Sequence, residues 1–118
     1  MNLRIVLACM ILGVVTEALS QWQKLWIYQY SWWPIVSVLV VFGLLFGWLS
    51  TMVADYSPFL RFVLGAVVGV AYEGANLWLL HIWHFPNQRL LFLRGRVALA
   101  LGAGIPWGIA PLVTPLFR

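Results

Sequence analysis

Apolar residues fill four long stretches of the chain, and shorter stretches rich in polar residues or proline separate them. A helix needs about 20 mostly apolar residues to cross a bilayer. Each stretch meets that length, and together they predict helices over residues 3–28, 34–54, 58–84 and 97–117. No linker interrupts this pattern, so residues 1–118 are expected to form a single membrane domain.

Prolines mark several of the predicted boundaries. Pro34 and Pro58 suit the first turn of a helix, where the missing N–H group is not needed. Pro106 lies near the middle of the fourth stretch and is expected to kink that helix near Gly102. The apolar run 90–93 is too short to cross a bilayer and is expected to lie at the membrane interface.

The composition supports lipid as the surrounding solvent. Hydrophobic residues make up 64% of the chain and charged residues only 8%, whereas a soluble domain carries about 25% charged residues. The eight tryptophans fit membrane–water interfaces, where such rings concentrate. The net charge of +4 comes from scattered basic residues, which does not indicate nucleic-acid binding. The predicted fold is an all-α integral membrane protein with four transmembrane helices.

A short pattern in the first helix returns in the third. Residues 13–17 and 69–73 both begin with Gly-Val and end with glutamate, and a tryptophan follows each glutamate by five residues. A Trp-x-aromatic pair follows in both copies, at Trp26 and at Trp83, one residue out of step. Because one helix separates the copies, the pattern predicts a parallel repeat. The expected architecture is a duplicated two-helix hairpin that forms a compact four-helix bundle.

Two glutamates inside predicted helices are the first candidate site. A charged side chain deep in a membrane costs about 2.5–3.5 kcal/mol, so such residues usually face protein and serve a purpose. Helical spacing places Gln21 near Glu17 and Asn76 near Glu73. The sequence therefore predicts an intramembrane polar cluster of these four residues. It either lines a small polar cavity, where the carboxyls could share a proton, or only fixes helix packing.

Small residues recur at four-residue spacing in three of the helices. Such pairs let membrane helices approach closely. They predict helix-packing positions at Gly43, Gly47, Gly65, Gly69, Gly104 and Gly108. The packing is either within the bundle or against a partner protein.

Two histidines and three arginines lie near the ends of the third and fourth helices. His81 and His84 are possible ligands of a haem or chlorophyll, or they are interfacial residues that bond to headgroups or backbone. No further His, Cys or Asp cluster completes a metal site. Arg89, Arg94 and Arg96 are expected to contact anionic headgroups, at about 1 kcal/mol each, or to act as ordinary topology anchors.

The segment from Glu17 to Trp26-x-Tyr28 resembles the acidic-residue and Trp-x-aromatic pattern of the small membrane lycopene cyclases. That resemblance implies repeated helices and an apolar carotenoid substrate. The chain departs from the pattern because it lacks the paired glutamates that follow a proline in those enzymes. The resemblance therefore assigns no family to this chain.

These features favour a non-catalytic accessory subunit that packs against a larger membrane complex, photosynthetic or respiratory. The alternatives are a small membrane enzyme or carrier for an apolar isoprenoid or lipid, and a pigment- or haem-binding subunit. Expected partners are membrane lipids and other membrane protein subunits, in a bacterial inner (cytoplasmic or intracytoplasmic) membrane. No cofactor is assigned, although bound lipid, quinone or pigment would suit such a bundle.

Overall fold

The computed structural model describes all 118 residues, and four helices account for most of them. Each helix is long and apolar enough to cross a membrane. They are α1 (Leu3–Gln23), α2 (Trp33–Met52), α3 (Pro58–Leu80) and α4 (Arg96–Phe117). Four two-residue strands lie between them: β1 (Ile27–Tyr28), β2 (Trp83–His84), β3 (Arg89–Leu90) and β4 (Leu93–Arg94).

Two helices end earlier than the apolar pattern predicts. α1 ends at Gln23 instead of residue 28, and α3 ends at Leu80 instead of residue 84. The next residue in each case is in the left-handed region, Lys24 with φ 53° and His81 with φ 51°, a conformation that ends a helix. The chain then enters β1 and β2, which pair antiparallel and give their backbone groups new partners. A hydropathy pattern alone does not distinguish these apolar strands from the apolar helices that precede them.

Side-chain caps explain where two helices begin. The Asn2 side chain accepts hydrogen bonds from the backbone N–H groups of Arg4 and Ile5, at 3.0 and 3.3 Å. Ser57 accepts from the N–H of Leu60 at 3.3 Å, and Pro58 then occupies the first helical turn. Both arrangements satisfy N–H groups that the helix leaves free.

The helices depart from α geometry at defined places. In α2, residues Ser37–Phe46 have π-helical i→i+5 hydrogen bonding, as do residues Asn76–Leu80 at the end of α3. Such segments are rare and are frequently found at functional sites. In α4 a tight 3₁₀ turn covers Ile105–Gly108 and contains Pro106, so the irregularity begins just beyond the kink expected near Gly102.

The bundle has a lower half, which contains both termini, and an upper half, which contains the loops 24–32 and 81–95. Each half has its own core. The lower core joins α1, α2 and α4 and consists of Ile5, Cys9, Phe46, Leu49, Val53 and Ala110. The upper core joins α4 to the loop that precedes it and consists of Trp83, Phe85, Leu90 and Leu99.

The six predicted packing glycines all lie where another helix approaches. A Cβ atom on Gly43 would lie 3.2 Å from the Met10 side chain, and one on Gly47 would lie 2.9 Å from Val6. The approach is closer between α3 and α4. There Gly69 faces the Gly104 carbonyl, and Gly65 and Gly108 face each other's helices with no room for a side chain.

Candidate functional site

Glu17 lies in the upper half of α1 and is buried, with 6% of its surface exposed. Its Oε1 atom accepts two hydrogen bonds, from the Tyr28 hydroxyl at 2.5 Å and from the Ser37 hydroxyl at 3.2 Å. These bonds join α1 to the loop that carries β1 and to the first π turn of α2. The other carboxyl oxygen, Oε2, is buried without a partner.

Glu73 lies at a similar height on α3 and is buried to the same degree, with 5% exposed. Its Oε1 accepts one hydrogen bond, from the indole N–H of Trp107 at a long 3.4 Å. This bond joins α3 to the 3₁₀ turn of α4. Glu73 Oε2 is also buried without a partner, so this carboxyl is held by fewer and longer bonds than that of Glu17.

Both carboxyl groups border one small enclosed space with a volume of about 10 Å³. No direct hydrogen bond joins the two carboxyls. The remaining wall consists of Trp26, Tyr28, Ser37, Val41, Phe42, Tyr72, Trp83 and Trp107. The space is about the size of one water molecule. It is therefore too small for an organic substrate, and its chemistry is confined to hydrogen bonds and protons.

Aromatic rings from the two loops and from α3 border this space. Tyr28 and Tyr72 both pack on Trp83, with ring centroids 5.7 and 5.1 Å apart. Burial, reinforced by the Glu17 carboxyl that accepts its hydrogen bond, raises the pKa of the Tyr28 phenol well above its ordinary value of 10.0. Tyr28 therefore stays a hydrogen-bond donor over the whole physiological pH range.

The other two members of the predicted polar cluster lie apart from the glutamates. Gln21 is exposed on the outer surface of α1, one helical turn above Glu17 but outside the enclosed space. Asn76 is fully buried, but its side chain serves the following loop. It accepts from the backbone N–H groups of Ile82 and Trp83, at 2.7 and 3.1 Å, and donates to the Trp83 carbonyl at 3.0 Å. Asn76 thus fixes the turn that leads into β2.

His81 and His84 are exposed at the upper end of the bundle. Together with Gln88 and Arg96 they border a pocket of about 140 Å³, which is below the 300–1,000 Å³ typical of small-molecule sites. No group of three or more His, Cys, Asp or Glu side chains comes close enough to hold a metal ion. The predicted headgroup residues Arg89, Arg94 and Arg96 are all exposed at this same end.

An open apolar groove runs along the outside of the bundle between α1 and α4. Its lower part has a volume of about 620 Å³ and its upper part about 270 Å³. Leu12 and Ile109 line both parts, so the two adjoin at these side chains. Glu73 borders the upper part as well as the enclosed space. The groove therefore leads from the outer surface to one of the buried carboxyls.

The sequence did not single out the partners of the glutamates. Ser37 and Trp107 are separated from their glutamates by 20 and 34 residues, and no local spacing connects them. Tyr28 was visible only as part of the repeated Trp-x-aromatic pair. Its eleven-residue separation from Glu17 matters only because α1 ends early and the chain folds back over the bundle.

No protein-family model matches the sequence, and no curated protein or solved structure matches it.

Proposed function

We propose that this chain is a multi-pass integral membrane protein that works as a non-catalytic structural subunit of a larger membrane assembly. The membrane is expected to be a bacterial inner membrane, cytoplasmic or intracytoplasmic. Four helices of spanning length support the first part. Large apolar side chains are exposed on all four helices and suit lipid or protein neighbours. Leu79, Phe59 and Leu116 are at least three-quarters exposed.

The buried polar residues support a structural role. Glu17, Glu73 and Asn76 each connect their own helix to another part of the chain. In a membrane, polar side chains that bond across helices hold a bundle together. The small enclosed space beside the carboxyls leaves room for hydrogen bonds and not for a substrate. The observation that carries the proposal is that each of these buried residues bonds its own helix to another part of the chain.

A duplication of the hairpin is also part of the proposal. Glu17 precedes the left-handed Lys24 by seven residues, and Glu73 precedes the left-handed His81 by eight. A π-helical turn accommodates one additional residue, and α3 has such a turn at Asn76–Leu80 while α1 does not. One inserted residue in α3 would therefore explain why the repeated Trp-x-aromatic pair is one residue out of step.

The experiment for the subunit role is a native mass measurement after mild solubilisation. A particle much larger than 13.4 kDa that contains other proteins is expected. A lone chain or a simple homo-oligomer would end the proposal. Affinity purification with mass spectrometry identifies the partner.

A small enzyme or carrier for an apolar isoprenoid or lipid is the second candidate, and the groove that reaches Glu73 favours it. Under this alternative, Glu→Gln substitutions at both Glu17 and Glu73 should abolish activity and leave assembly intact. If the double variant fails to assemble, the structural role is supported instead.

Pigment or haem binding is the third candidate, and it would use His81 or His84. The pocket beside these residues is small, so a bound pigment would have to lie mostly outside it. An absorption spectrum of the purified protein tests this candidate, and a colourless preparation removes it.

A further inference from the structure

The groove between α1 and α4 has the dimensions of a lipid-chain site. On α1 its lower part extends from Arg4 to Val15, and Thr16 continues into the upper part. At 1.5 Å per residue, that is about 18 Å along the helix. The lining is mostly apolar, and the two volumes fall in or near the range of small-molecule sites.

The upper end of the groove has a roof. Trp26 from the loop 24–32 and Leu90 and Leu91 from the loop 81–95 border it above Glu73. A helix of a partner protein is about 10 Å wide and would have to continue past this roof toward the interface. A single chain that ends below the roof meets no such obstacle. The geometry therefore favours a slender lipid chain over a protein helix.

The upper end of the groove carries two hydrogen-bonding groups without a full set of partners, the Glu73 carboxyl and the Trp26 indole N–H. Glu73 is 95% buried, its only bond is the long one from Trp107, and its Oε2 has no partner. A buried polar atom without a partner is costly. A hydroxyl group can both donate and accept, so it complements this carboxyl whether or not the carboxyl carries its proton.

We propose that the groove binds one long-chain alcohol, with its hydroxyl group hydrogen-bonded to Glu73 and its chain lying between α1 and α4. The proposal rests on the membrane placement given above. It does not depend on the subunit role, because a lone protein could bind such a lipid equally well.

A photoreactive probe tests the site directly. Hexadecanol that carries a diazirine and an alkyne is added to the purified full-length protein in phosphatidylcholine vesicles, and labelled peptides are mapped by mass spectrometry. Labelling is expected on the parts of α1 and α4 that line the groove. It should exceed labelling by the matching hexadecane probe, which lacks the hydroxyl, by about tenfold, the value of one good hydrogen bond. Unlabelled hexadecanol should compete.

Matched variants locate the head group. Glu73→Met should reduce labelling by the alcohol to that of the hydrocarbon probe. Glu17→Met should leave it unchanged, because Glu17 borders the enclosed space and not the groove. Ile109→Trp fills the junction of the two groove parts and should abolish labelling, whereas Leu44→Trp on the exposed face of α2 should not.

Several results would overturn the proposal. They are equal labelling by both probes, unchanged labelling of Glu73→Met, or a phosphatidylcholine probe that labels the groove and is not displaced by hexadecanol. The last result would assign the groove to ordinary bilayer lipid. If Glu73→Met does not assemble, the Ile109→Trp and Leu44→Trp pair decides. The size of the native particle is measured separately, so failure of the subunit role and failure of this site are distinguishable.

Discussion

The two hairpins, α1–α2 and α3–α4, place a buried glutamate at similar heights but treat it differently. Glu17 has two hydroxyl partners from outside its own helix, whereas Glu73 has one indole partner at long distance. The helices also pack differently. Gly13 in α1 faces the Phe42 ring, while Gly69 in α3 faces the backbone of α4. A similar local sequence therefore gives a well-bonded carboxyl in one hairpin and a weakly bonded one beside a groove in the other.

Asn76 and Ser20 give the largest expected contrast between the hairpins. They occupy equivalent positions three residues after the glutamates, and both are fully buried. Asn76 makes three hydrogen bonds to the loop, whereas the Ser20 hydroxyl has no partner. Asn76→Ala should lower the free energy of unfolding by about 4 kcal/mol, because it leaves several buried backbone groups unpaired. Ser20→Ala should change it little.

The measurement is unfolding of each variant in mixed micelles with increasing denaturing detergent. Comparable losses for Asn76→Ala and Ser20→Ala would mean that the loop does not depend on the Asn76 side chain. The two hairpins would then not differ in stability at this position.

The glycines give the next contrast. A Cβ atom on Gly104 would collide with the backbone of Val70, which cannot move without separating α3 from α4. Gly104→Ala should therefore cost about 3 kcal/mol. On Gly43 the nearest neighbour is the flexible Met10 side chain at 3.2 Å, so Gly43→Ala should be close to neutral. The same unfolding experiment checks both, and a large loss for Gly43→Ala would show that the first hairpin is packed as tightly as the second.

The sequence predicted the four helices well because hydropathy over some 20 residues is a strong local signal. It placed the ends of α1 and α3 too late because Ile27 and Trp83 are as apolar as the helices before them. Their strand pairing depends on a contact across 57 residues, Ile27 with His84. A contact between residues so far apart in the sequence cannot be predicted from local sequence patterns.

Of the residues that form the candidate site, the sequence predicted only the two glutamates at its centre. Glu17 and Glu73 stood out because charged residues are rare in apolar helices. Gln21 was grouped with them by helical spacing, but that spacing allows a position at the edge of the stripe, and the structure exposes it. Ser37 and Trp107 could not be found from the sequence because the packing of α2 and α4 against the other helices brings them to the glutamates.

Tyr28→Phe tests whether Glu17 is the better-bonded carboxyl. The substitution removes the 2.5 Å hydrogen bond and leaves only Ser37 on the carboxyl, which should cost about 2 kcal/mol. Tyr72→Phe is the matched control, because Tyr72 borders the same space and makes no direct hydrogen bond. If the two variants lose equal stability, the Tyr28–Glu17 hydrogen bond makes no net contribution to the stability of the first hairpin.

The pH dependence gives the smallest contrast and separates the hairpins by the chemistry of their donors. Glu17 is bonded by a phenol, which can lose its proton, whereas Glu73 is bonded by an indole, which does not titrate in this range. The pKa of Tyr28 is raised in the folded protein by burial and by Glu17. Above about pH 10 the unfolded chain loses this proton and the folded chain keeps it, so stability should fall by up to about 1.4 kcal/mol per pH unit. Below pH 10 both states keep the proton and this contribution is constant. Unfolding measured between about pH 9 and pH 11 (one unit either side of the ordinary tyrosine value) should show a shallower alkaline loss in Tyr28→Phe than in the wild type. Glu73→Gln should keep the wild-type slope, and an equally shallow slope in that variant would show that the two carboxyls act as one unit and that the hairpins do not differ as described.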